Sequence, residues 1–253
     1  QEFSLRNQRQ SENFAYWTQL RLFHNACLNM GVNVDVVEES QDFGSYRVVL
    51  VPVHFVTDPA LAPRLEAFAA KGGTVVITDR SGVKDKNGKC ILGQSLPTAL
   101  ASLCGCHVVE YDPIGTARQH VRTTSGGSYE VTGWCDLLEC DTAEVWACYA
   151  DRYYAGSPAI TRNQVSGGDV YYVGTIGEKA LYHTLLLEIF RRKQMEVMEL
   201  LPSGVEVCSR TGRGGNYQFI FNNTMEPKSF LFHKTRVDLD PLEMKIFAEG
   251  VWV

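Results

Sequence analysis

The sequence predicts an α/β protein with a doubly wound, largely parallel sheet, followed by a small all-β domain. Two apolar, β-branched runs, residues 47–53 and 74–78, have too few polar residues for a half-solvated strand, as is typical of strands buried on both faces. A helical pattern lies between them. From about residue 196, short strand-like runs and turns replace the helical periodicity. We therefore predict one domain over residues 1–195 and a small antiparallel β domain over 196–253.

Composition and charge narrow the class of protein. The chain has 253 residues, 45% of them hydrophobic and 21% charged, which is ordinary for a soluble globular protein with a real core. A net charge of −5 argues against a nucleic-acid partner, and no apolar run approaches the ~18 residues of a membrane span. The chain begins with Gln1 instead of Met and has no apolar leader, so we expect a processed product or a piece excised from a longer protein, and we favour the excised piece.

The eight cysteines contain no C-x-x-C pair, so we expect reduced thiols in a cytoplasmic protein. The six histidines are scattered without metal-ligand spacing, and no glycine-rich segment matches a phosphate-binding loop. The sequence thus predicts neither a metal site nor a cofactor.

The first domain is predicted to alternate helices and strands. Apolar residues recur every three or four positions over residues 1–30, which predicts a long helix ending at Gly31. A short strand at 32–37 and the strand at 47–53 follow. Asp58 is predicted to cap a helix that starts at Pro59 and ends before Gly72. The strand at 74–78 comes next. These short connections imply parallel neighbours with right-handed crossovers, as in flavodoxin-like sheets.

The remaining elements are predicted from shorter patterns. Residues 112–165 are interpreted as a β-rich excursion from the sheet, and 212–215 as the glycine-rich turn of a hairpin. The other predicted elements are helices at 96–103 and 178–192 and strands at 106–111, 169–174, 205–208, 217–222, 229–233 and 244–248.

The loop that follows residues 74–78 is the first candidate for a functional site. Ligands and catalytic groups of open α/β sheets lie at the carboxyl ends of the strands. Ser81 is in the position of a nucleophile on a strand-to-helix turn, which suggests a hydrolase. However, the residues after Ser81 form a turn, and Asp79 occupies the place of the small residue that such an elbow needs.

Two further kinds of site remain open. Glycoside hydrolysis needs two carboxyl groups across one cleft, typically ~5–9.5 Å apart. Glu38, Glu39, Asp79, Glu110 and Asp112 are candidates without a recognisable arrangement. Aromatic side chains could also stack on sugar rings, although aromatics at strand spacing more often belong to the core or to an interface. The aromatic residues considered are Trp134, Trp146, Tyr153, Tyr154, Tyr171 and Tyr172.

The order and spacing of the segments resemble the middle region of family forty-two glycoside hydrolases, which are bacterial β-galactosidases. The tail resembles their small C-terminal β domain. The segments that carry the resemblance are residues 31–37, 46–52, 65–68, 72–78, 80–85 and 100–105, with 217–224 and 241–244 in the tail.

The resemblance implies a role in assembly. In that family a catalytic barrel carries both catalytic glutamates, a flavodoxin-like domain related to class I amidotransferases makes a homotrimer, and a β domain follows. The resemblance therefore implies no catalytic residue here, a galactoside bound only through the barrel, and self-association. We predict subunit contacts from Asp79, Arg80, Ser81, Lys84 and Asp85. The alternatives are an amidotransferase-like hydrolase that uses Ser81 and a carbohydrate-binding module.

Overall fold

The computed structural model describes residues 1–8, 10–11, 14–198, 201–212, 214–248 and 251–252. Contacts divide the chain into two compact units. The first comprises Gln1–Phe23 and Glu38–Tyr182, and the second His24–Val37 and His183–Val253. The predicted domain boundary after residue 195 stays a prediction.

The first unit contains a mixed sheet of eight strands in the order β1-β2-β7-β6-β5-β3-β4-β8. The strands are β1 (Val48–Val51), β2 (Thr74–Thr78), β3 (Cys106–Thr123), β4 (Ser128–Cys140), β5 (Glu144–Tyr149), β6 (Pro158–Val165), β7 (Gly168–Val173) and β8 (Thr175–Gly177). The helices of the chain are α1 (Glu2–Asn7), α2 (Tyr16–Leu28), α3 (Leu61–Ala70), α4 (Ala101–Cys104), preceded by the 3-10 helix Thr98–Leu100, and α5 (Lys179–Arg192).

The parallel part of the sheet is confirmed where the sequence predicted it. β2 pairs in parallel with β1 on one side and with β7 on the other. All five residues of β2 are buried, as its apolar run predicts. Between β1 and β2, α3 buries Leu61, Leu65, Phe68 and Ala69, which lie on one helical face.

Glycines allow α3 to end close to the sheet. Gly72 has a φ of +95° and donates its N–H to the carbonyl of Ala69. A Cβ at Gly73 would lie 2.3 Å from the ring of Phe68, so only glycine fits beneath that ring. The predicted stop signal is therefore confirmed, whereas the predicted start is two residues early. The helix begins at Leu61, and Asp58 accepts the N–H of Ala60 in a turn before it.

The segment from β3 to β6 corrects the predicted excursion. These strands belong to the same eight-stranded sheet, where they pair antiparallel. β3 is also longer than the strand predicted at 106–111, because bulges after Val108, Asp112 and Gly115 let the β3–β4 hairpin continue through changes of register. The sheet is thus parallel over only three strands.

The predicted helix over residues 1–30 is wrong in its middle. α1 ends at Asn7 and α2 begins at Tyr16, and residues 9, 12 and 13 lie outside the described part of the chain. Ser11 donates to the carbonyl of Gly133, and Phe14 packs edge-on against Trp134 at 5.9 Å. These contacts with β4 replace a continuous helical face, although Gly31 does end α2 with a φ of +66°.

The second unit contains a four-stranded sheet, β14-β13-β10-β9, and a two-stranded sheet of β11 and β12. Its strands are β9 (Val205–Gly212), β10 (Gly215–Asn222), β11 (Lys228–Phe232), β12 (Thr235–Leu239), β13 (Met244–Ala248) and β14 (Val251–Trp252). The predicted hairpin turn joins β9 to β10, with Arg213 outside the described residues. The sequence prediction had missed β12 and β14.

The predicted strand at residues 32–37 is not formed. Asn33 instead uses its side-chain amide on the backbone of β9: its Nδ2 donates to the carbonyl of Ser209 at 2.8 Å, and its Oδ1 accepts the N–H of Ser209 at 3.2 Å. A side chain here makes the contact that a strand would make with its backbone, so no ladder is needed.

Candidate functional site

The loop after β2 turns back into the sheet. Asp79 still donates its N–H to the carbonyl of Val173 on β7, at 2.7 Å, so the ladder continues one residue beyond the strand. Arg80 then has a φ of +57° and Gly82 a φ of +70°. A non-glycine residue rarely adopts this left-handed conformation without compensating contacts. The left-handed turn at Arg80 directs the chain so that the side chains of Asp79, Arg80 and Ser81 are all buried.

Asp79, Arg80 and Asp136 of β4 form what we call the buried charge cluster. The side chain of Asp136 is well supplied with donors: Trp134 Nε1 donates to its Oδ1 and Tyr172 OH to its Oδ2, both at 2.8 Å. The carboxyl of Asp79 accepts Gln19 Nε2 at 3.2 Å on Oδ2, whereas its Oδ1 has no hydrogen-bond partner among the described residues. The two carboxyl groups therefore sit in unequal surroundings.

The guanidinium of Arg80 is held among three aromatic rings. Its Cζ lies 4.4 Å from the ring centroid of Trp134, 4.9 Å from that of Phe55 and 5.4 Å from that of Phe14. Its Nη2 also donates to the carbonyl of Gln8 at 3.2 Å. Cation–π contacts of this kind strengthen when the cation is desolvated. Arg80 thus joins the N-terminal segment to the end of β2.

The surroundings of the two carboxyl groups separate their pKa values. Burial raises the pKa of Asp79 well above its usual value, and the nearby charge of Asp136 raises it further. Burial also raises the pKa of Asp136, but only to about 6, because Trp134, Tyr172 and the Arg80 backbone N–H donate to its charged form. Burial therefore favours the neutral form of both carboxyl groups, and at Asp136 the surrounding donors and the Arg80 cation oppose that shift.

Ser81 does not present a nucleophile. It is fully buried, and its Oγ accepts the backbone N–H of His54 at 2.9 Å. The His54 ring is turned to other groups, with Nε2 2.7 Å from Glu39 Oε2 and Nδ1 3.3 Å from Gln1 Nε2. A catalytic serine needs an accessible hydroxyl that a base can deprotonate. The geometry is that of a turn fixed by hydrogen bonds.

The second half of the loop faces outward. Lys84 forms isolated bridges with Val56 and with Cys90, so residues 84–90 make a closed loop. Asp85 Oδ1 accepts the N–H of Asn87 at 2.9 Å and that of Lys89 at 2.8 Å, and these bonds lower its pKa. Residues 86–90 are exposed, and Leu92 beyond them is 88% exposed. We call residues 84–90 the lysine loop. It carries three lysines and one carboxylate, Asp85, which accepts hydrogen bonds from two backbone N–H groups of the loop.

The predicted interface residues therefore divide into two groups. Asp79, Arg80 and Ser81 are buried within the chain and offer no side-chain surface, whereas Lys84 and Asp85 are partly exposed. Burial follows from the left-handed turn at Arg80, which the sequence pattern did not reveal. The interface as a whole stays a prediction, carried by the lysine loop.

Three of the other candidate carboxylates bond different partners. Glu39 bonds His54, and Glu110 accepts the hydroxyl of Tyr153 at 2.6 Å. Asp112 Oδ2 accepts Arg152 Nη1 at 2.8 Å and Tyr154 OH at 2.9 Å. Of the six aromatic residues considered for sugar stacking, five are buried and only Tyr153, 73% exposed, faces solvent. Their interpretation as mainly core residues is confirmed.

Among the residues that the structure describes, no group of three or more His, Cys, Asp or Glu side chains is arranged to hold a metal ion. Within the same residues, no helix combines the length and apolar character needed to cross a membrane.

Sequence reasoning missed the partners of the charge cluster. Asp136 carried the available signal, because it is the single charge within the apolar run Trp134–Leu138 and a charge there needs a buried partner. Gln19 and Tyr172 carried none, since each fits an ordinary helix or strand pattern. Their role depends on the order of strands in the sheet.

Comparison with known proteins places the chain in a family. A family model described as the beta-galactosidase trimerisation domain matches residues 1–196. The β-galactosidase BgaA of Clostridium cellulovorans is 37% identical over 230 residues, which are 91% of this chain and 35% of that protein. The β-galactosidase BglY of Alicyclobacillus acidocaldarius is 34% identical over 236 residues, covering 88% of this chain and 33% of that protein.

Solved structures agree. The β-galactosidase of Bacillus circulans superposes with a TM-score of 0.87 at 26% identity, covering 93% of this chain and 38% of that one. That of Halorubrum lacusprofundi has a TM-score of 0.87 at 28% identity, covering 99% and 38%. The chain thus spans about a third of the length of the relatives it matches. The resemblance to family forty-two β-galactosidases is confirmed, and the chain belongs to the beta-galactosidase trimerisation domain family.

Proposed function

We propose that this chain is the non-catalytic oligomerisation region of a β-galactosidase that hydrolyses terminal β-galactosides with residues outside this chain. The observation that carries the proposal is the family match over residues 1–196. The buried Ser81 supports it, because an inaccessible hydroxyl cannot act as a nucleophile, and Glu39, Glu110 and Asp112 each bond a different side chain.

The proposal includes a flavodoxin-like fold for the first unit. Its support is the parallel order β1-β2-β7 with α3 on the connection between β1 and β2. In this proposal the turn at residues 79–82 occupies the place where a related hydrolase would carry its nucleophile, and the turn here serves packing. The cysteines, all of them free thiols, fit the proposed cytoplasmic location.

The partner is proposed to be a second copy of this chain in a homotrimer. A closed ring of three needs two different patches on each subunit that fit each other. The lysine loop is one candidate patch, because it stands at the carboxyl end of β2 and its exposed lysines are followed along the chain by the apolar Leu92. The galactoside would bind to the remainder of the enzyme.

Sedimentation equilibrium of the purified chain tests assembly. We expect a species of three times the chain mass of 28.3 kDa. A monomer at every concentration would contradict assembly by this chain alone. A Lys84→Glu, Lys89→Glu double variant should shift the equilibrium toward monomer if the lysine loop is a contact. The control is Lys71→Glu, which reverses the charge of an exposed lysine at the C-cap of α3. Equal behaviour of the two variants would remove the loop from the interface and leave trimerisation standing.

A further inference from the structure

Cys106 and Cys140 lie directly opposite each other on the antiparallel strands β3 and β4. The hydrogen bonds around them define the type of pair. Asp141 donates its N–H to the carbonyl of Gly105 at 2.9 Å, and Val108 donates away from β4, to Leu96, at 2.8 Å. The ladder bond at this end thus joins the neighbouring pair, Gly105 and Asp141. Because hydrogen-bonded and non-hydrogen-bonded pairs alternate along an antiparallel ladder, the next pair, Cys106 and Cys140, is a non-hydrogen-bonded pair.

This type of pair brings the two thiols close together. The Cα atoms of non-hydrogen-bonded pairs are about 4.5 Å apart, and their side chains leave the same face of the sheet. Disulfides span Cα separations of about 4.4–6.8 Å. The backbone of the β3–β4 hairpin therefore already meets the distance requirement for a bond between these two residues, and both are free thiols in this structure.

The two thiols differ in access. Cys106 is fully buried, and its Sγ is 3.3 Å from Thr161 Oγ1. Cys140 is partly exposed, so a small reagent can reach it. Burial raises the pKa of Cys106 to about 12, and burial with the neighbouring Asp141 and Cys148 raises that of Cys140. Thiol exchange proceeds through the thiolate, so it should be slow at neutral pH and faster in alkaline solution.

We propose that Cys106 and Cys140 are a redox-sensitive pair that closes to a disulfide across β3 and β4 on exposure to a low-molecular-weight disulfide. The Cys140 thiolate attacks one sulfur of oxidised glutathione, which forms a mixed disulfide and releases one glutathione thiolate. The Cys106 thiolate then attacks Cys140 Sγ, which forms the protein disulfide and releases the second. Two protein thiols are oxidised, and one oxidised glutathione is reduced to two thiols that take up the two protons.

The bond would fasten the open end of the β3–β4 hairpin. The register of that hairpin shifts at bulges after Val108 and Asp112, so a covalent link at residue 106 fixes the pairing on one side of them. Thiol–disulfide exchange runs in both directions, so an excess of thiol reverses the two steps. The link is therefore reversible, formed under oxidation and opened by thiols.

Peptide mapping without reduction tests the proposal. The folded chain is incubated with oxidised glutathione at mildly alkaline pH, and the remaining thiols are alkylated. We expect a peptide pair linked through Cys106 and Cys140, a mass loss of two hydrogens, and disappearance of the link on addition of dithiothreitol. Cys140→Ser and Cys140→Ala should both abolish it. Cys148→Ser and Cys208→Ser, which change other partly exposed thiols, should leave it intact.

Two results would overturn the proposal. One is a linked pair of Cys140 with Cys148, abolished by Cys148→Ser, because β5, the next strand along the chain, would then hold the true partner. The other is glutathione that stays attached to Cys140 while Cys106 is still alkylated on unfolding. Circular dichroism of each variant before oxidation ensures that the compared chains are folded.

Discussion

The two halves of the loop after β2 are neighbours in sequence and opposites in environment. Residues 79–81 are buried and bond to β4, α2 and the N-terminal segment. Residues 84–90 are mostly exposed and bond mainly to one another. Each half mixes acidic and basic side chains, so charge alone does not distinguish them. The left-handed turn at Arg80 distinguishes the two halves, because it directs the side chains of residues 79–81 into the core. The chain returns to the surface after this turn.

Charged residues at the end of a parallel strand can therefore serve packing within the fold. A buried cation and two carboxyl groups are costly to desolvate, and they persist only when each is paired. Here the pairing ties together β2, β4 and the N-terminal segment. The charged groups of the exposed half stay in contact with water, so they have no comparable desolvation cost and can form a contact surface.

Arg80→Met is expected to have the largest effect. It keeps much of the side-chain volume but leaves Asp79 and Asp136 without their cation, and it removes the donor to the Gln8 carbonyl. Loss of one partner from a buried ionic group costs about 3–5 kcal/mol of unfolding free energy. Urea denaturation at neutral pH measures it.

Lys84→Met is the matched control, since it removes a cation four residues away on the partly exposed half. Its effect should lie within about 0.5 kcal/mol, as for ordinary surface changes. If the two variants lost the same free energy of unfolding, the buried Arg80 would contribute no more to stability than the partly exposed Lys84.

The pH dependence of stability provides a second, somewhat smaller effect. The pKa of Asp136 rises from 3.8 to about 6 on folding, so the folded chain binds the proton more tightly than the unfolded chain. Stability from this group is therefore complete below pH 3.8 and is lost as pH rises through about 6. The difference corresponds to about 3 kcal/mol. Asp79 acts in the same direction, because its pKa is also raised.

Asp136→Asn should flatten this decline over the same pH window, measured by urea denaturation at a series of pH values. Asp85→Asn is the control, because the pKa of Asp85 is lowered and its contribution has the opposite sign. An unchanged decline in Asp136→Asn would show that Asp136 does not titrate in this range.

Much of the fold could be predicted because its signals are local. The buried run of β2, the helical face of α3 and the glycines that end it all lie within a few residues of one another. The predictions failed where distant residues decide. Ser11 and Phe14 leave the helical pattern to contact β4, and Asn33 bonds β9 with a side chain where a strand was expected.

In the candidate site, too, the features set by nearby residues were predictable and those set by distant residues were not. That the loop lies at the end of a parallel strand was predictable from the order of elements, and so was the weakness of Ser81 as a nucleophile. The burial of Asp79 and Arg80 was not predictable, because it depends on the positive φ of Arg80 and on Asp136, which lies 56 residues after Arg80 in the sequence. The pairing of β4 within the eight-stranded sheet supplies that partner.

The smallest expected effect tests the exposed half. Asp85→Ala removes the acceptor of the Asn87 and Lys89 N–H groups, so the lysine loop should loosen while the rest of the chain keeps its stability. Hydrogen exchange of those two amides should become several-fold faster, in line with the loss of one exposed hydrogen bond each. Asp85→Asn retains Oδ1 and should exchange like the original chain. If Asp85→Ala instead lowered the urea midpoint as much as Arg80→Met, the lysine loop would belong to the same cooperative unit as the buried charge cluster, and the division drawn at Arg80 would be lost.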